Sequence, residues 1–506
     1  MQTNIIEYIE RTAVEFKDKT AIEDNGEGIT FSQLLNSSKA IASALLGKVE
    51  PKDSIVICME KGIEFVAAML ACAQISAVYI PLDASTPSLR RQYIVNAVSA
   101  KLILLKRNSS LAIKDICEPV EVLYIDDLLT EEICEDALIE RRKRSNATDP
   151  LYMIFTSGST GKPKGIVTTH LALISFIDEM AETFAFSSDD SIANQVPFYF
   201  DASTKDIFLM CKCGCTMHII PKKMFMLPKD LMEFLNDKQI SRIIWAPSLL
   251  CMVANFKAYE KVCPRYLRTV FFVGEQMPTK QMNMWRTHLP DVQYVNLYGS
   301  TEVSGSSTYY IIDREMDDNE IIPIGIPFNH LKVFLLDEND RLVDKEDVTG
   351  EICVGGLSLT LGYYRDLEKT RRVFQQNPLN SDYREIIYRS GDIGKYNNHN
   401  ELVYVCRRDY QIKRMGQRIE LGEVEAVISS LDGIQRCCCL YNEKTQALLA
   451  VYEGTVDAKT ISSQLRAIIP AYMLPSDYRK METIPLNANG KIDRKALKAI
   501  SFQEGI

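Results

Sequence analysis

The segment whose residue types are best suited to chemistry is Thr156-Ser157-Gly158-Ser159-Thr160-Gly161-Lys162-Pro163-Lys164-Gly165, directly after the apolar run LYMIF. Its glycines let backbone N–H groups approach an anion, its hydroxyls add donors, and Lys162 and Lys164 supply charge, so it is built to hold phosphate. It is not the loop in which four residues separate two glycines and Ser or Thr follows Lys directly. Here Gly158 and Gly161 stand closer together, and Pro163 follows Lys162. Two cysteine clusters also carry reactive atoms. Cys211, Cys213 and Cys215 alternate along an apolar run near His218, which on a strand would put all three on one face. They lack the paired spacing that closes a zinc loop, so they read as strand residues, as does Cys437-Cys438-Cys439.

The elements that must position such a loop follow a βα rhythm. Short apolar strand candidates at 54–59, 101–105, 121–126 and 242–246 alternate with helical patterns, which implies mainly parallel sheets with sites at strand ends. The stretch Phe65 to Leu82 reads as a small-residue helix running into a buried strand, since Gln74, Ser76 and Pro81 interrupt it. After about Asn296 the texture changes to hairpin-like pieces (KVFLLDENDRLV, GEICVGG, ELVYVCRRD), a more antiparallel or barrel-like region. A fresh strand and helix pattern of about 100 residues follows. The expected fold is therefore α/β. A large N-terminal unit, 1–408, combines parallel-rich sheets with a small β-barrel-like region, and a small α+β unit, 409–506, comes after it.

Composition excludes several classes. The chain has 506 residues, 46% of them hydrophobic, and 58 Lys plus Arg against 67 Asp plus Glu give a net charge of −9. An acidic protein of pI about 5.4 lacks the basic face of a nucleic-acid scaffold. The N-terminus alternates charged and apolar residues without the basic start and apolar core of a signal peptide, so a cytoplasmic protein with no membrane span is expected, its 14 cysteines free thiols.

Further motifs follow the loop in order: Phe200-Asp201-Ala202-Ser203, Asn296-Leu297-Tyr298-Gly299-Ser300-Thr301-Glu302, Gly350-Glu351-Ile352, Tyr388-Arg389-Ser390-Gly391-Asp392, Arg407-Arg408-Asp409-Tyr410-Gln411-Ile412-Lys413 and Asn489-Gly490-Lys491-Ile492-Asp493. Each alone is weak. As an ordered set spanning nearly the whole chain, they resemble the core motifs of the adenylate-forming superfamily, in particular the amino-acid adenylation domains of nonribosomal peptide synthetases and the D-alanine carrier-protein ligases. Two positions depart from the pattern: Cys406 stands where Gly usually precedes Arg407, and Ser300 where Pro is usual.

The resemblance implies two half-reactions. An amino-acid carboxylate attacks the α-phosphorus of ATP and releases pyrophosphate, and a phosphopantetheine thiol then captures the acyl group. Loop 156–165 would hold the departing phosphates, because attack of an anion on a polyanion needs its charge neutralised. Glu302 would be the Mg²⁺ ligand, magnesium preferring one or two carboxylates plus substrate phosphates, with Thr301 beside the α-phosphate. Tyr298 would offer a ring to the adenine face within the Asn296-to-Gly299 turn. Asn296 would read the adenine amino edge, Asp392 accept both ribose hydroxyls, and Arg407 add a donor. Lys491 matches the lysine that bridges substrate carboxylate and α-phosphate, where one compact ammonium neutralises two oxyanions. That lysine must leave before a thiol enters, so the C-terminal unit is expected to rotate about a hinge at Asp409, turning Lys413 and the loop Gln411 to Gly416 toward the site.

Asp201 matches the acid that pairs with a substrate α-ammonium, which favours an amino acid. The resemblance places Ala202, Lys205, Ile244, Phe271, Val273, Leu297, Gly305 and Ser306 around the substrate. Lys205 either selects an acidic side chain or snorkels outward. Only fifteen residues follow Lys491 and none forms a phosphopantetheine serine site, so the expected partner is a separate carrier protein or a free thiol. Alternatives are an acyl- or aryl-CoA ligase of the same fold, against which Asp201 argues, and a non-catalytic binding homologue, which would be expected to lack Glu302 or Lys491.

Overall fold

The computed structural model describes residues 2–107, 120–158, 162–408, 411–443, 445–486 and 492–503. Ser159, Thr160, Gly161, Asp409 and Lys491 lie outside the described residues.

Strands Ser54–Cys58, Val78–Leu82 and Leu102–Leu105 consist entirely of buried residues. Such two-sided burial belongs to parallel strands covered on both faces. They form a six-stranded sheet in the order Glu121–Tyr124, Leu102–Leu105, Ser54–Cys58, Val78–Leu82, Pro150–Thr156, Lys164–Thr169. All its pairs are parallel except the last, a hairpin closed by the loop after Thr156. The stretch from Phe65 to Leu82 is helix Ile63–Gln74 leading into strand Val78–Leu82.

A second, nine-stranded sheet is built around parallel strands Gln293–Tyr298, Thr269–Val273, Arg242–Trp245, Ser191–Asn194, Thr216–Ile219 and Thr20–Asp24, with antiparallel strands at both edges. Its side chains alternate between two cores. Ile244, Phe271, Val295 and Leu297 join the largest cluster, together with helices Phe31–Leu45, Ile63–Gln74, His170–Thr183 and Ser203–Cys213, whereas Ile243, Trp245, Val270 and Phe272 point into another. A helical layer is thus held between two sheets, and the carboxyl ends of the parallel strands open on one crevice, the position where α/β sheets bind ligands.

The antiparallel texture after Asn296 becomes a six-stranded sheet in which Leu331–Leu336, Thr349–Gly356, Ile386–Tyr396 and Leu402–Arg407 are neighbours. Strands from Gln411 onward pair only with one another among the described residues, and residues 411–503 are called the C-terminal lobe below. It begins with the hairpin Gln411–Arg414 and Gln417–Glu420, whose turn residues Met415 and Gly416 have φ of 53° and 75°. Left-handed backbone at both positions matches the twist of a two-residue hairpin loop. Helix Leu421–Ser429 follows and packs on the sheet of Ile434–Asn442, Ala447–Gly454 and Asp477–Lys480.

One expectation is corrected. Cys211 and Cys213 lie at the end of helix Ser203–Cys213, not on a strand, and Cys215 follows Gly214, whose left-handed φ of 71° terminates that helix before strand Thr216–Ile219. The helix is buried around most of its surface, so its apolar run carries no one-sided period. Cys437 to Cys439 do lie on a strand. Among the described residues no helix is long and apolar enough to cross a membrane.

Candidate active site

Thr156 ends one strand of the hairpin opposite Lys164, which begins the other. Ser157 is fully buried, and a Cβ on Gly158 would lie 1.9 Å from the Lys162 carbonyl oxygen, so only glycine fits there. The Thr156 hydroxyl is buried without a hydrogen-bond partner among the described residues. Lys162 is exposed, whereas Lys164 turns inward and lies 5.6 Å from the centre of the Tyr363 ring.

Across the crevice, strand Gln293–Tyr298 delivers Asn296 and Tyr298, and the following turn delivers Thr301 and Glu302. The turn is tight at Gly299, where a Cβ would approach the Gly305 carbonyl oxygen to 2.7 Å. The Tyr298 hydroxyl donates to Asp392 Oδ2 at 2.5 Å, and Arg407 Nη1 contacts Asp392 Oδ1 at 2.8 Å. Burial and the neighbouring Asp392 push the Tyr298 hydroxyl well above its ordinary pKa, so it remains a donor. The Asn296 side-chain amide donates to the Pro323 carbonyl at 2.7 Å. Lys413 Nζ, from the C-terminal hairpin, sits 5.9 Å from the centre of the Tyr298 ring, and desolvation lowers its pKa.

Glu302 has no exposed surface. Burial alone would raise its pKa, but the Arg418 guanidinium and the Tyr363 hydroxyl hold it down at about 2. Arg418 Nη1 contacts both carboxylate oxygens at 2.8 and 2.9 Å, and Tyr363 Oη donates to Oε1 at 2.7 Å. An ionised carboxylate in this place is a suitable donor for a divalent cation. Among the described residues no three His, Cys, Asp or Glu side chains gather to cage one, and a magnesium held by a single carboxylate would take its other ligands from water and substrate phosphates. Arg418 and Tyr363 escaped the sequence reading. The available signal was the run Arg418, Glu420, Glu423 immediately beyond the 411–416 loop, three charges facing a crevice that only the folded chain reveals.

Asp201 lies in the turn that precedes helix Ser203–Cys213 and Lys205 one turn into that helix. Lys205 does not snorkel: it is 1% exposed, its Nζ 5.5 Å from the centre of the Phe176 ring. Burial pushes Asp201 up and Lys205 down, and their mutual attraction opposes both shifts. Ile244, Phe271, Val273 and Leu297 stand in register on the core face of three adjacent strands. Gly305, with φ of +85°, passes so close to Phe176 that a Cβ would approach Cδ1 to 2.3 Å, and the buried Ser306 hydroxyl has no partner among the described residues. Ala202 immediately precedes the same helix and gives it no side-chain cap.

The folded chain thus brings together Thr156, Ser157, Gly158 and Lys164 of the loop with Asp201, Lys205, Tyr298, Thr301, Glu302, Asp392, Arg407 and Lys413, and leaves Lys162 exposed. The model of a family described as "AMP-binding enzyme" matches residues 9–364. Zwittermicin A synthase ZmaJ of Bacillus cereus is 29% identical over 98% of this chain and 95% of its own length. Tyrocidine synthase 1 of Brevibacillus parabrevis is 30% identical over 98% of this chain, which spans only 45% of that protein. The solved structure of holo-PA1221, described as a nonribosomal peptide synthetase protein containing adenylation and PCP domains, superposes with a TM-score of 0.84 at 24% identity, covering 98% of this chain and 84% of that one. The chain belongs to the AMP-binding enzyme family and is an adenylate-forming ligase of the nonribosomal peptide synthetase adenylation kind.

Proposed function

We propose that the protein activates an amino acid with ATP and passes it to the phosphopantetheine thiol of a separate carrier protein. In the first step a substrate carboxylate oxygen bonds to the α-phosphorus and pyrophosphate leaves. In the second, the thiol sulfur bonds to the acyl carbon, AMP leaves and the thiol proton is released. Ser157, Gly158 and Lys164 offer hydroxyl, N–H and ammonium to the leaving phosphates, Thr301 sits beside the reacting phosphate, and Tyr298, Asp392 and Arg407 take the nucleoside. A magnesium ion on Glu302 supplies charge neutralisation for the phosphates. Lys491, outside the described residues, is assigned to the first step, and Lys413 on its hairpin to the second.

The observation that carries an amino acid over other carboxylic acids is the half-buried Asp201 beside Thr301. A carboxylate there fits a substrate α-ammonium, and an aliphatic or aryl acid has no charge to offer it. Lys205 is a buried cation electrostatically coupled to that acid, which favours a substrate carrying a second carboxylate in its side chain. The test is amino-acid-dependent exchange of labelled pyrophosphate into ATP across a full panel, with aryl and fatty acids alongside. Exchange with amino acids, strongest with acidic ones, is expected. Exchange only with aryl or fatty acids would overturn the amino-acid reading, and exchange confined to small apolar amino acids would overturn the role of Lys205.

A further inference from the structure

Two ammoniums stand over one ring at the edge of the site, and one of them belongs to no motif. Lys164 Nζ, from strand Lys164–Thr169, lies 5.6 Å from the centre of the Tyr363 ring, and Lys369 Nζ, from helix Leu367–Val373, lies 5.3 Å from it. The hydroxyl of that ring is the donor on Glu302. The short helix is fixed in its place. The Lys369 N–H donates to Asp366 at 3.0 Å, and the Thr370 hydroxyl donates to the Asp366 carbonyl at 2.8 Å while accepting from the Tyr363 N–H at 3.0 Å. Gly362, with φ of +88°, lets the chain close this way, since a Cβ there would approach Thr370 Cγ2 to 2.4 Å.

The acids nearby do not balance the two lysines. Glu420 lies 3.7 Å from Lys164 and 3.5 Å from Arg418, so one carboxylate serves several cations, and Asp366 is exposed. Burial and the Lys164 ammonium together push the Lys369 amine down to about 7, with Glu420 and Asp366 opposing the shift. Both lysines line a cavity of about 670 Å³ whose other walls carry Arg372, Arg389 and Arg407. The remaining acids of the cavity are the exposed Glu338 and the pair Asp340 and Glu351, both of which Arg389 holds.

We propose that Lys369 is a second phosphate-binding ammonium, closing with Lys164 on a diphosphate unit: the terminal phosphates of the nucleotide or the pyrophosphate released from it. The inference rests on the reading of Lys164 as a phosphate ligand. Two ammoniums offer six N–H donors and no acceptor, which one singly charged carboxylate cannot match and adjacent phosphates can. As the polyanion arrives, Lys369 takes up a proton and the repulsion between the two lysines is screened.

Calorimetry of the full chain with pyrophosphate, ATP and AMP in turn, Mg²⁺ present throughout, tests this. Lys369→Met keeps the stem and removes the charge, so pyrophosphate affinity should fall about tenfold or more, the scale of losing one charge-assisted hydrogen bond, while AMP binds as before. A parallel loss with ATP would assign Lys369 to the nucleotide as well as to the leaving group, and an unchanged ATP affinity to the leaving group alone. Lys369→Arg should restore most of the affinity. Titrations at pH 7.5 in buffers of unequal ionisation heat count protons, and the parent should take up more on binding pyrophosphate than Lys369→Arg, whose guanidinium is charged before the anion arrives. Fluorescence of the buried Trp245 and Trp285, unchanged in both variants, reports an intact fold.

Equal pyrophosphate affinity in the parent and Lys369→Met would overturn the proposal, as would no binding to the parent. An equal loss of AMP affinity would overturn it too, because Lys369 would then be a tie of the crevice wall and not a phosphate ligand. The same proton count in the parent and Lys369→Arg would remove the charge argument and the proposal with it. Amino-acid-dependent pyrophosphate exchange by the parent shows separately whether the adenylation reading stands.

Discussion

Asp201 and Lys205 stand one helical turn apart, both desolvated, the acid pushed toward protonation and the base toward neutrality. Burial of this kind is tolerated when a ligand supplies the missing charges. Asp201→Ala should therefore raise the amino-acid KM by about a hundredfold, the scale of leaving a buried ammonium unpaired, with the KM for ATP little changed. Steady-state pyrophosphate exchange with each substrate varied in turn checks this, and a des-amino analogue should compete better against the variant than against the parent. An unchanged amino-acid KM would show Asp201 to be a turn residue only. At this scale the motifs that carry one group each put Asp201, Glu302 and Asp392 on the crevice that the folded chain forms. The sequence left Lys205 open, since an outward and an inward lysine have the same neighbours in sequence and only the burial of helix Ser203–Cys213 decides between them. Arg418 was invisible because its partner lies 116 residues away in the chain.

Elements were legible where a run was short and bounded, as with Ser54–Cys58, and illegible where burial removed the period, as with Cys211 to Cys215. Helix His170–Thr183 carries a titrating anchor that no motif announced. The Ile5 N–H donates to His170 Nδ1 at 3.2 Å, so that nitrogen must be unprotonated. Burial lowers the ring from 6.5 to about 4, the nearby Asp149 opposing the shift. Between these values the unfolded chain binds a proton that the native imidazole refuses. The neutral ring's contribution is complete above pH 6.5 and is lost as pH falls toward 4, roughly 3 kcal/mol in all. The two tryptophans, Trp245 and Trp285, are both buried in the large lobe and report its unfolding. Urea transitions followed by their fluorescence should move to lower midpoint between pH 7 and pH 4.5, and His170→Gln should flatten that dependence. An equal pH slope in parent and variant would remove His170 from the account.

The two lobes meet in an orientation that puts the hairpin 411–420 into the crevice, with Lys413 above Tyr298 and Phe200 against Tyr472 at 5.9 Å. On the proposed two-step function, each set of groups is needed in turn, since Lys413 and the lysine assigned to the first step would have to stand over the same adenylate. Ile492 packs with Cys438, Leu440 and Ile484 in the core of the C-terminal lobe, and the proposed function assigns the first step to its chain neighbour Lys491. Lys491→Ala should therefore lower pyrophosphate exchange by roughly a hundred- to a thousandfold, the scale of deleting one charge-stabilising group. Transfer from a synthetic aminoacyl adenylate to a carrier protein should stay near the parental rate. Arg418→Gln should show the opposite pattern, with exchange kept and transfer slowed, because it removes a tie of the docked orientation and no group of the first step. Both steps measured on the two variants decide the matter: equal loss in each would mean that one arrangement serves both reactions, and the lobe would have no reason to turn.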